Sequence, residues 1–218
     1  MKRFSLSFVL VVVALLAHVA NGQVRFDLGI KGGPNFAKIN TSASAAQNYS
    51  NRTGYHFGAY AMLKLTKIAI QPEVIFSRQG QQYAFPGYSN LKSSFDYINI
   101  PIIIKLYIAA GLNLQAGPQF GFLSSSSGYV YNTLTSSATS QSLTNFVKSS
   151  DVSLAVGAGW DLPLGLNVTA RYNVGLSDIN KYTGGTVPSG VTSSLGTQEA
   201  KNQVFQFSVG YRLFKFGK

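Results

Sequence analysis

Nine ionisable residues stand one or two at a time inside otherwise apolar segments: Asp27, Lys31, Lys64, Glu73, Asp96, Lys105, Asp161, Arg171 and Arg212. Five are basic and four acidic. Brought together, they could line a narrow ion path or pair with one another in a polar core. Pairing is the expected outcome, because an unpaired buried charge is costly. Arg171 is expected to meet Glu73 or another interior carboxylate. Catalysis has less to draw on. Past residue 22 the chain has a single histidine, His56, and no cysteine anywhere. No serine lies in a G-x-S-x-G elbow. Metal-ligand spacing, a P-loop and a dinucleotide fingerprint are all missing. The reading is therefore no catalytic, cofactor-binding or metal site, with His56 a hydrogen-bonded interior residue.

Elements with a period of two must position these residues. In "LNVTARYNVGL" (166–176), Leu166, Val168, Ala170, Tyr172, Val174 and Leu176 share one parity. Asn167, Thr169, Arg171, Asn173 and Gly175 share the other. A strand sends alternate side chains to opposite faces, so one face is oily and the other polar. The same alternation recurs in 24–36, 55–65, 68–79, 96–107, 112–122, 152–162 and 204–213. That makes eight predicted strands. Aromatic residues are 13% and charged residues only 11% of the chain, a balance that favours strands over disorder.

The connections alternate in length. Thr66-Lys67, Ile108–Gly111 and Pro163–Gly165 are tight; 37–54, 80–95, 123–151 and 177–203 are long. All the long ones fall at one end of an up-and-down meander. The Ser/Thr-rich stretch 124–150 is expected to be a mobile loop, since it offers little apolar area to offset ordering entropy. Residues 1–22 read as a secretory signal peptide: a basic start at Lys2 and Arg3, an apolar run, then Ala20-Asn21-Gly22 before cleavage. An uncleaved anchor is the alternative, against which the run is short for a spanning helix. Residues 23–218 form one domain. Losing Lys2 and Arg3 lowers the net charge from +11 to +9. For an exported chain, phosphate-bearing lipid is a better acidic partner than nucleic acid.

Which face looks inward decides the class. Gly29, Gly33, Gly58, Gly117, Gly121, Gly157, Gly159, Gly175 and Gly210 lie on the polar parity. Small residues suit the crowded inside of a narrow barrel, so the polar face is expected inside and the oily face in lipid. The prediction is an all-β, eight-stranded antiparallel up-and-down transmembrane β-barrel. On its outer face Phe36, Tyr55, Phe57, Phe76, Phe122, Phe205 and Phe207 would gather near the long-loop end. Trp160 and Tyr211 would sit near the tight-turn end, completing two aromatic girdles. Pro34, Pro72, Pro101 and Pro118 fall inside predicted strands; proline cannot donate to a ladder, so bulges or locally frayed pairing are expected around them.

The phrases "LGIKGGPNFAKI", "IQPEVIFSRQG", "YINIPIIIKLY", "LNLQAGPQFGFL", "GAGWDLPLGLNVTARYNVGLSDI" and "KNQVFQFSVGYRL", in this order, resemble the PorT-like outer-membrane β-barrel family of Bacteroidetes. The resemblance covers residues 24–213. It implies a porin-type barrel integral to the outer membrane, delivered by the barrel assembly machinery, without cofactor. The expected role is structural or surface interaction through the outer loops. An accessory part in an outer-membrane secretion system is the alternative, as for some relatives; a secreted lipocalin-like carrier is a third. Loop cations, among them Lys38, Arg52, Arg78, Lys92, Lys148, Lys181 and Lys201, either grip lipopolysaccharide phosphates or are simply solvated.

Overall fold

The computed structural model describes residues 24–41, 50–85, 88–132, 137–142, 144, 147–181 and 199–217. The predicted signal peptide lies outside them. The fold is a closed antiparallel barrel of eight strands with a ninth strand added at one end. In chain order these are β1 (Val24–Thr41), β2 (Ser50–Leu65), β3 (Ile68–Phe85), β4 (Tyr88–Tyr107), β5 (Leu112–Asn132), β6 (Ser137–Ser142), β7 (Ser150–Asp161), β8 (Leu166–Gly175) and β9 (Ala200–Gly217). Sequential neighbours pair around the wall, β1 pairs with β9, and β4 pairs with β5, which closes the circle. β6 pairs only with the far end of β5 and stands outside the circle. Among the described residues no helix is long and apolar enough to cross a membrane; the crossing is made by strands.

The parity of the sequence is the parity of the wall. Ile68, Ile70 and Val74 on β3 and Ile100, Ile102, Ile104 and Leu106 on β4 are exposed, whereas Glu73, Asn99 and Lys105 are buried. Around the barrel most large apolar side chains face out and most amides, hydroxyls and charges face in. This is the reverse of a soluble carrier, which buries its oily face. A Cβ built on Gly29 would collide with the Tyr60 ring, and one on Gly159 with the Gln115 amide, so the small inward residues do make room for large ones opposite. At the tight-turn end, Thr66, Ala110 and Leu164 take positive φ, followed by Gly111 and Gly165 in two of the three turns.

Two expectations are corrected and one is narrowed. First, the long connections are shorter than the loss of alternation implied. β3 and β4 pair from Gln79↔Phe95 to Phe85↔Tyr88, so most of 80–95 is a hairpin. β5 runs on to Asn132 and pairs with β6, so 124–150 is not one structureless loop. Outward apolar residues stop where lipid stops, but backbone pairing does not need lipid. Secondly, of the two accommodations expected at the prolines, the pairing lapses locally and does not bulge. Each of the four interrupts one ladder by two residue pairs and leaves the register unchanged: Pro34 between β1 and β9, Pro72 between β2 and β3, Pro101 between β3 and β4, Pro118 between β4 and β5. A skipped donor is thereby tolerated without a free edge. The register shifts lie elsewhere, at Leu28/Gly29, Asn51/Tyr55, Tyr83/Phe85 and Asp96/Tyr97. Thirdly, Asp96 is not a lumen residue. On β4 the inward positions are Ser93, Phe95, Tyr97 and Asn99. Asp96 has the other parity and pairs on the outer wall with Arg78, Nε to Oδ1 at 2.7 Å and Nη2 to Oδ2 at 2.7 Å.

Candidate functional site in the barrel lumen

At mid-height the lumen is crossed by charge. Glu73 on β3 and Arg171 on β8 stand on opposite walls, four strands apart in either direction. Arg171 Nη2 donates to Glu73 Oε1 at 2.6 Å and Nη1 to Oε2 at 2.9 Å. Its Nε donates to Gln115 Oε1 at 2.7 Å. Lys31 lies 3.5 Å from Glu73 Oε2, and Gln71 Nε2 donates to Oε1 at 2.7 Å. One carboxylate thus gathers two cations and an amide, all buried. Bidentate Arg–carboxylate geometry is the strong form of this contact. The expected pairing of Arg171 with Glu73 is what the structure contains.

Toward the long-loop end the network is neutral. His56 is held between Asn35 Oδ1 and Ser208 Oγ, each at 2.7 Å. Asn35 Nδ2 donates to Ser77 Oγ at 2.8 Å, and Asn173 Nδ2 to Gln206 Oε1 at 2.8 Å. Both imidazole nitrogens are engaged by fixed partners. Above this layer Asn202 on β9 donates to Asp151 Oδ2 at 2.7 Å and reaches Tyr97 Oη at 3.4 Å. An apolar cluster of Phe95, Tyr97, Val147, Ile179 and Ala200 then closes the mouth, with Leu123 packed against it. Val147 bridges to Asn180, and Asp178 Oδ1 accepts from the backbone N–H of Asn180 and Ala200. The chain ahead of β7 and the chain after β8 thus meet the start of β9 at the opening.

Toward the tight turns the lumen ends in a second plug, Tyr60, Met62, Ala69 and Tyr107. Tyr107 Oη donates to Asp161 Oδ2 at 2.5 Å, and Lys105 Nζ to Asp161 Oδ1 at 3.2 Å. Lys64 lies over the Tyr107 ring, 3.4 Å from its centroid. Asp27 accepts from Arg25 at 2.7 Å and stands 3.7 Å from Arg212. Of the nine ionisable residues singled out, eight line the lumen or its tight-turn mouth and Asp96 does not. Sequence reasoning passed over the plugs. Tyr60 and Met62 share parity with His56 and Lys64, and Phe95, Tyr97, Ile103 and Tyr107 share it with Lys105, so the alternation itself carried that signal.

On the outer wall, Phe36 packs on Phe205 with centroids 6.4 Å apart, and Phe57 on Phe76 at 5.2 Å. Tyr55 joins them. Phe122, Phe207, Trp160 and Tyr211 also face outward, and Trp160 Nε1 donates to the Ala110 carbonyl in a tight turn at 2.9 Å. Phe26, Phe214 and Phe216 complete the tight-turn end. The register shift at Leu28/Gly29 makes Leu213 an extra residue in β9. The shift reverses parity beyond it and turns Phe214 and Phe216 outward. On β3 the outward apolar column from Ile68 to Phe76 rises roughly 20 Å, at about 3.3 Å per residue and a tilt of about 40°. Arg78 and Asp96 lie just beyond it, at the level where headgroups begin.

Residues 16–181 match the family described as the outer membrane protein beta-barrel domain. The chain belongs to that family. Like its other members it is an outer-membrane β-barrel, and the oily wall and polar lumen above are that architecture built from this sequence. Neisserial surface protein A (NspA) is similar in fold, with TM-score 0.52 and 12% identity over 85% of this chain and 97% of that one. Ail of Yersinia pestis is also similar, with TM-score 0.49 and 12% identity over 88% of this chain and 99% of that one. No curated protein sequence matches this chain. Among the described residues no group of three or more His, Asp or Glu could hold a metal ion.

Proposed function

We propose that this outer-membrane barrel is a sealed, non-catalytic scaffold that holds its long-loop end at the cell surface for structural or interaction purposes. The observation that carries the reading is the closure of the lumen. Glu73, Arg171 and Lys31 cross-link its middle, and apolar clusters close both ends. Such an interior fits a strut better than a path for solutes. Short turns face the periplasm and long connections face outward in barrels of this type. The outward aromatic rings at the two ends then mark the two membrane interfaces, in contact with phospholipid and lipopolysaccharide. Residues 1–22 act as the export signal, the barrel assembly machinery inserts the product, and the sequence phrases support kinship with PorT-like barrels of Bacteroidetes. The secretion-accessory alternative draws no support from the sealed lumen. An epitope inserted in the 133–136 connection between β5 and β6 tests the reading. It should be detected on intact cells with the barrel still assembled. Detection only after the outer membrane is permeabilised would invert the topology and defeat the proposal.

A further inference from the structure

Among the described residues the two ends of the barrel differ in how their charges are matched. At the long-loop end Arg78 has Asp96, Lys148 has Asp178 and Lys201 has Glu199, and Lys181 reaches the Thr144 carbonyl. At the tight-turn end six cations, Arg25, Lys64, Lys67, Lys105, Arg212 and Lys215, meet only Asp27 and Asp161. The ladders set four of the six at neighbouring positions around the mouth. Arg25 pairs with Lys64 across β1 and β2, and Asp27 with Lys215 across β1 and β9. Lys64 pairs with Ala69, and Ala69 with Lys105. Among the described residues, Lys64, Lys67 and Lys215 have no carboxylate within ion-pair distance. Arg25 Nε is buried without a hydrogen-bond partner.

We infer that this mouth is a docking surface for an acidic polypeptide segment of a periplasmic partner, rich in Asp or Glu. The cations are aimed to suit such a partner and not the bilayer. Arg25, Lys64 and Arg212 share the inward parity of buried Asp27, so they overhang the opening, whereas lipid headgroups surround the outer wall. The recess lined by Arg25, Lys105 and Arg212 measures about 20 Å³, room for about one water molecule. A partner therefore lies across the rim and does not enter. Unpaired like charges gathered on a rim draw an oppositely charged chain and speed its encounter, an effect that falls with salt. The inference relies on the proposed orientation for its compartment. The binding itself does not depend on it, so the assay below and the surface-epitope experiment fail separately.

The test uses the folded full barrel in zwitterionic detergent and a fluorescein-labelled octaglutamate peptide, read by anisotropy. Binding should be measurable at about 0.05 M salt and lost near 1 M. The triple variant Lys64→Gln, Lys67→Gln, Lys215→Gln should weaken it about tenfold, as the loss of three modest surface charge contacts. None of these three residues has an ion-pair partner to lose, and unshifted migration on unboiled gels checks that the variant folds. The matched outer-end variant Lys148→Gln, Lys181→Gln, Lys201→Gln should bind as the parent does. Absence of binding at low salt, equal loss in both triple variants, or a preference for phosphatidylglycerol vesicles over the peptide would overturn the inference, the last by assigning the rim to lipid.

Discussion

Replacing Glu73 with alanine should be among the most damaging single changes in the lumen. The carboxylate is fully buried and receives Arg171 through two hydrogen bonds, Gln71 through one, and Lys31 at 3.5 Å. Its loss strands two buried cations, Lys31 on β1 and Arg171 on β8. Breaking a buried ion pair from one side costs about 3–5 kcal/mol. Arg171→Ala removes less, because Glu73 keeps Lys31 and Gln71; charge-assisted hydrogen bonds of about 1.5–3 kcal/mol net set that loss. The double variant leaves only Lys31 unpaired, so it should cost about as much as Glu73→Ala alone. The coupling energy of the cycle is then about 1.5–3 kcal/mol, well above the few tenths expected of independent sites. Urea unfolding of the barrel in lipid vesicles, followed by tryptophan fluorescence from Trp160, gives all four corners. Additive single losses would refute the cross-lumen strut, whatever the absolute stabilities.

Three further outcomes follow from the same packing. Val168→Arg puts a charge on the outer face near mid-strand and should cost about 2–4 kcal/mol at the bilayer midplane, while Asn167→Ala, which loses one hydrogen bond to Tyr60, should cost about 1 kcal/mol; refolding yields into vesicles compare them. Purified protein in planar bilayers should show no steady wide conductance, since charge and apolar clusters fill the lumen, and a stable open pore would contradict that filling. Gly29→Val should lower the unfolding midpoint by displacing Tyr60, and the further change Tyr60→Ala should restore part of it; no rescue would show that the strain lies in the backbone.

Much of this was legible in the alternation of residues. A wall one residue thick has only two faces, so parity alone assigns each side chain to lipid or lumen, and it placed Lys31, Glu73, Lys105 and Arg171 together. It also held the pairing of Arg171 with Glu73, because a narrow barrel leaves a buried cation few places to go. Parity was less useful where the strands outrun the membrane. In sequence, the β3–β4 hairpin beyond Arg78 and the β5–β6 pair carry few aliphatic residues, so no long run of alternating oily positions marks them. Asp96 was misplaced because its charge was taken as an inward signal although its position on β4 is odd-man-out beside Phe95 and Tyr97. The flip at Leu213 could not be seen at all: an extra residue is invisible until the strand is laid against β1, and only then do Phe214 and Phe216 turn outward. The prolines were visible, yet whether a ladder bulges or skips depends on the neighbouring strand.

The central claim is that one parity of each strand meets lipid and the other meets a sealed polar lumen. The chain has no cysteine, so single cysteines can be placed through β8 without altering a background. Labelled with bimane at each position from Leu166 to Gly175 and refolded into vesicles containing nitroxide lipids, the series should alternate. Leu166, Val168, Ala170, Tyr172 and Val174 should be strongly quenched, and Asn167, Thr169, Arg171 and Asn173 should not. Loss of the alternation, or quenching of the outward set by aqueous iodide in place of the nitroxide lipid, would contradict it.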